Sequence, residues 1–164
     1  MNPAQGGWVI LLSLLVALLL GVAHLPEDWP DWLGWLRPNW LLLVVLFWVI
    51  ELPRRLGLIT VWCVGIVADV LYAEPLGLNA LMLACVSYLG WRFCERLRMY
   101  SVLQQCGVSF VLVLAGEILR VWVIGLNSDA QWSWGILLVP IVSMLMWPVV
   151  LLLLLRARTG IRVE

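Results

Sequence analysis

Lysine is absent from this 164-residue chain, histidine occurs once, and only 12% of the residues are charged. Each shortage removes a class of chemistry. Without lysine there is no Schiff-base nucleophile and no phosphate-loop lysine, and Gly6–Gly7 belongs to no glycine-rich phosphate cradle. His24 stands alone at the end of the first apolar run beside an acidic segment, so neither a Ser–His pair nor a metal constellation can be built around it. The four cysteines (Cys63, Cys85, Cys94, Cys106) lack CxxC spacing and lie in apolar runs or beside arginines. They read as small buried hydrophobes, with no disulfide framework and no metal site. The shortage of charge is the most informative. Soluble domains carry about 25% charged residues; this chain is 64% hydrophobic, with a mean hydropathy of +1.03. There is too little polar residue to make a water-facing surface. The composition predicts an all-α integral membrane protein, one domain over residues 1–164, with no nucleic-acid-binding feature.

Apolar runs of about 17–25 residues are needed to cross a bilayer as helices. The chain offers six, at 7–25, 38–53, 57–73, 76–92, 104–126 and 135–155. The first, GWVILLSLLVALLLGVAHL, reads as a retained helix: it has no basic leader, and Pro26 and an acidic, Trp-rich stretch follow it. The second is short. Arg37 and Arg54 bracket sixteen residues, about 24 Å of helix, so it must thin the bilayer or rely on snorkelling arginines. EPLG (residues 74–77) joins spans three and four into a tight antiparallel hairpin.

Direction follows from arginine placement. Arg54 and Arg55 follow span two, Arg92, Arg96 and Arg98 follow span four, and Arg156, Arg158 and Arg162 follow span six. The opposite side carries Glu27, Asp28, Asp31, Glu74 and Asp129, with Arg37 its one base. The arginine side is expected to be cytoplasmic, with both termini inside. The outer side also gathers tryptophan (Trp29, Trp32, Trp35, and QWSW at 131–134), an ordinary interfacial belt or a platform for a partner.

Span one repeats small residues at Ser13, Ala17 and Gly21. Small-xxx-small faces let helix backbones approach closely, within the bundle or against another protein's helix. Span six contains Pro140 and Pro148, which should kink it.

Charges inside the spans are costly, about 2.5–3.5 kcal/mol each on insertion scales, so they are usually paired or at work. Asp69 lies in GIVADVLYAEPLGLNAL, and span five holds Glu117 and Arg120, three residues apart on one face. Spans three and five run in the same direction, and Asp69 and Arg120 lie roughly 6 and 9 Å from the outer ends of their spans. Arg120 is therefore expected between Glu117 and Asp69, tying span three to span five. One carboxylate would remain to be protonated or paired elsewhere, with Arg37 a further partner if span two packs on span three. A protease-like carboxylate dyad fits poorly, because a cation beside it spoils the sharing of one proton. No catalytic residue and no cofactor is expected.

Several strings then converge: RPNW (37–40), LPRR (52–55), GIVAD (65–69), PLGLNAL (75–81) and MWP (146–148). In this order and spacing the whole chain resembles the rod shape-determining membrane protein family MreD. Arg37, Pro38, Asn39, Gly65, Asp69 and Gly77 match the family motif. The resemblance implies a non-enzymatic component of the bacterial cell-elongation, peptidoglycan-synthesising machinery of the inner membrane. Its implied partner is MreC, and through it the elongation transpeptidase and glycosyltransferase, with MreB filaments on the cytoplasmic side. The implied fold is similar to the vitamin-capture subunits of energy-coupling-factor transporters, whose first helix docks through small residues. Capture or transport of a small molecule is the alternative function.

Overall fold

The computed structural model describes residues 4–22, 37–52, 56–125 and 135–160. Six α-helices account for nearly all of them: α1 (Ala4–Val22), α2 (Trp40–Glu51), α3 (Leu58–Leu71), α4 (Leu78–Met99), α5 (Val102–Gly125) and α6 (Gly135–Gly160). The all-α expectation holds, with shifted boundaries: α4 runs past Arg92 to Met99, and α2 is shorter than its apolar run. Two helical stretches, Val102–Gly125 and Ile136–Thr159, are long and apolar enough to cross a membrane, whereas Gly7–Val22, α2 and α3 are apolar but shorter. The outer tryptophans, His24, Arg54, Arg55, Asp129 and Arg162 lie outside the described residues.

α2 is the axis of the bundle. Every residue from Leu41 to Ile50 is buried, because α1, α4, α5 and α6 all pack on it. Its twelve residues make about 18 Å of helix, far less than the ~30 Å hydrocarbon core. Along this length α2 is enclosed by protein, while Arg54, one of the two arginines expected to snorkel, lies outside the described residues.

The ends of α2 are held by side chains from other parts of the fold. Asn39 caps its start, its Oδ1 accepting from the Leu42 amide at 3.2 Å, while the Asn39 amide donates to Ser143 Oγ on α6 at 3.0 Å. At the far end Arg98 of α4 donates Nε to the Ile50 carbonyl at 2.8 Å and an Nη to the Glu51 carbonyl. Arg158 of α6 pairs with the Glu51 carboxylate. Cations over orphaned C-terminal carbonyls suit both hydrogen bonding and the helix dipole.

The small face of α1 turns inward. Ser13 Oγ accepts from Trp48 Nε1 of α2 at 2.8 Å, Ala17 is 1% exposed, and a Cβ on Gly21 would collide with the Tyr72 ring. These three positions contact neighbouring helices of the bundle, with Ser13 and Gly21 half-buried. α6 contains both prolines within one continuous helix. The cysteines divide: Cys106 is buried, Cys94 half-buried, and Cys63 and Cys85 are exposed, so burial describes only part of the set.

Candidate functional site: a polar cleft at one end of the bundle

α3 packs along α4, and one glycine brings the two backbones together. A Cβ on Gly65 would enter the backbone of Ala80 and Asn79. Only a residue without a side chain lets the two backbones touch there, and this contact fixes which way the rest of α3 faces.

One turn later Asp69 is fully buried and meets the start of α4. Its Oδ2 accepts from the Gly77 amide at 2.8 Å. Its Oδ1 accepts from the Asn79 amide at 2.7 Å and from Asn79 Nδ2 at 2.9 Å. Gly77 is the N-cap residue of α4, and no side-chain cap of its own satisfies the helix start. Asp69 supplies that cap from the neighbouring helix, with a carboxylate at the positive end of a helix dipole. The connection is built for this. Ala73 and Gly77 have φ of +53° and +97°, and the Glu74 amide donates to the Asp69 carbonyl at 3.0 Å. Glycine adopts the Gly77 conformation without Cβ strain.

Asn79 carries the network outward: its Nδ2 also donates to Glu74 Oε2 at 2.7 Å. Glu74 in turn pairs with Arg120 of α5, and Arg120 Nη1 lies 3.9 Å from Glu117 Oε1. The expected Asp69–Arg120 pair is thus corrected. α3 docks on α4, so Asp69 faces the α4 start; the ion pair to α5 is made by Glu74, from the connection. Asp69, Glu117 and Arg120 share one network, joined through Asn79 and Glu74. In the sequence those two links read only as an outer acid and as part of PLGLNAL. A search for side chains near the Asp69 level that lie outside helix spacing would have found them.

Arg120, Glu117, Glu74 and Asn79 line a cleft of about 290 Å³, whose other walls include Arg37, Pro38 and Asn39 before α2, the end of α1 (Leu20–Val22) and Tyr72. The structure therefore collects Arg37, Pro38 and Asn39 at the cleft itself, while Gly65, Asp69 and Gly77 shape the hairpin behind it. Among the described residues no group of His, Cys, Asp and Glu has a metal-holding arrangement.

The family described as rod shape-determining protein MreD matches residues 3–157. A relative, the rod shape-determining protein MreD of Haemophilus influenzae, is 29% identical over 161 residues, covering 96% of this chain and 95% of its own length. No solved structure matches.

Proposed function

Given that the chain belongs to the MreD family of rod shape-determining proteins, we propose that it is a non-enzymatic, multi-pass scaffold of the bacterial cell-elongation machinery. In this reading six helices cross the inner membrane with both termini cytoplasmic. The protein binds MreC and, through it, influences the elongation transpeptidase, the glycosyltransferase and MreB-linked assembly. The match over nearly the whole chain carries the proposal. The geometry supports it: the polar groups inside the bundle tie helices together, and both oxygens of Asp69 are occupied by amides.

Co-purification tests the partner. Epitope-tagged MreC should retain this protein through detergent extraction, and its failure to do so would remove the scaffold role. Crosslinking cysteines belong on the outward faces of α1 and α6, since enclosed α2 cannot meet a partner without unfolding. Orientation has its own test. A reporter in the connection at Tyr100–Ser101 should read as cytoplasmic and one within residues 126–134 as external; the opposite pattern would invert the topology.

The cleft favours a second reading, capture of a small ligand.

A further inference from the structure

Asp69 and Glu117 are both buried carboxylates, yet their surroundings are opposite. Asp69 accepts three hydrogen bonds. The Glu117 side chain is 8% exposed, and its nearest cation, Arg120, is 3.9 Å away, beyond hydrogen-bond reach. Arg120 pairs more closely with Glu74, through Nη2, which leaves other guanidinium N–H groups. Among the described residues no donor hydrogen-bonds Glu117, whose nearest cation is that 3.9 Å contact, although a carboxylate offers about four acceptor positions. Glu117 lines the cleft, so its carboxylate is presented to whatever enters there.

We propose that this cleft binds a ligand carrying a primary ammonium group beside an anionic group, of the phosphoethanolamine type, with Glu117 accepting from the ammonium. Charge and size select this class. The Arg120–Glu74 pair is internally neutral, and Glu117 adds a further carboxylate to the cleft wall. The Arg120 side chain is 38% exposed, so its guanidinium is available to an anion on the same molecule. The cleft volume of about 290 Å³ lies at the lower limit of small-molecule sites, which suits a headgroup. The donor is available as a lipid headgroup or as a free aminophosphate. The inference is independent of the scaffold reading: loss of MreC co-purification would leave it untouched.

The test uses the full chain in nanodiscs containing equal amounts of dioleoyl phosphatidylethanolamine and dioleoyl phosphatidylcholine, followed by detergent extraction and mass spectrometry of retained lipid. Both lipids are zwitterionic, but the quaternary ammonium of choline has no N–H to give. Ethanolamine lipid should be retained about tenfold over choline lipid, the scale of one charge-assisted hydrogen bond. The preference should fall stepwise through the mono- and dimethylated headgroups and vanish in Glu117→Gln. In parallel, soluble phosphoethanolamine is compared with phosphocholine by thermal shift. Selectivity with the lipids alone assigns a lipid ligand, and selectivity with the soluble pair assigns a free one. If Glu117→Gln does not fold, Val139→Trp, which fills the cleft from α6, replaces it. Equal retention across the methylation series together with no soluble selectivity overturns the proposal, as does selectivity that persists in the variants.

Discussion

The two ends of the bundle use the same side chains to opposite effect. At the arginine-rich end, Arg98 and Arg158 close over the last turn of α2, one on its carbonyls and one on Glu51. At the other end Arg120 also meets a glutamate, Glu74, but there the pair forms the wall of an open cleft. The difference lies in what the arginine replaces. Arg98 supplies donors that α2 lacks, since the last four carbonyls of a helix have no internal partner. Arg120 supplies charge balance to carboxylates that already have, or could take, other donors. One end is closed by helix termination, and at the other an ion pair ties α5 to the α3–α4 connection beside the cleft.

The largest expected effect is at the hairpin behind the cleft. Asp69→Ala would leave the Gly77 and Asn79 amides without their acceptor and take from Asn79 Nδ2 one of its two, at a carboxylate that is itself fully buried. Unsatisfied buried donors cost about 1–3 kcal/mol each and do not add fully, so a loss of roughly 3–5 kcal/mol is expected. Thermal unfolding of the purified protein in detergent should show a marked drop. Asp69→Asn, which keeps an acceptor oxygen, should fall between Asp69→Ala and wild type. A near-wild-type Asp69→Ala would mean that the α4 start is capped some other way.

These contrasts also show which parts of the fold the sequence could express. Six apolar runs are visible because lipid-exposed and protein-enclosed helices both need them. For that same reason the enclosure of α2 is not visible: LLLVVLFWVI reads alike against lipid and against four helices. The level of Asp69 and Arg120 follows from counting 1.5 Å per residue. Their azimuth does not, because the Gly65–Ala80 approach sets the rotation of α3. The inward turn of Ser13, Ala17 and Gly21 was legible as a packing face, but its partners, Trp48 and Tyr72, are fixed by tertiary contacts. Glu74 escaped because it sits in the connection, where no helical spacing predicts reach.

A middle-sized effect is expected at the closed end. Arg98→Ala removes the donors to the Ile50 and Glu51 carbonyls. Ile50 is only 4% exposed, so water replaces those donors poorly there and more easily at Glu51. A loss of about 1–2 kcal/mol follows from the hydrogen bonds and the helix dipole together. Arg98→Lys should recover only part of it, because one ammonium cannot reproduce the fork that reaches two successive carbonyls. Urea or thermal melts would resolve the three proteins, and full recovery by lysine would reduce the role of Arg98 to charge alone.

The smallest effect should come from the open end, and it sharpens the comparison most. Arg120→Ala deletes the cation shared by Glu74 and Glu117. Were this a sealed ion pair, the loss would approach the 3–5 kcal/mol typical of a stranded buried charge. The arginine side chain is 38% exposed to the cleft, however, and Glu74 keeps its bond from Asn79. Water entering the cleft can solvate what the guanidinium leaves behind, so the expected cost is about 1 kcal/mol or less. The ratio of the two arginine effects is therefore the quantity to measure, by parallel melts of Arg98→Ala and Arg120→Ala in the same detergent. If Arg120→Ala proves the more damaging, the cleft is a closed structural core after all, and the contrast between an end built to shut and an end built to stay open is lost.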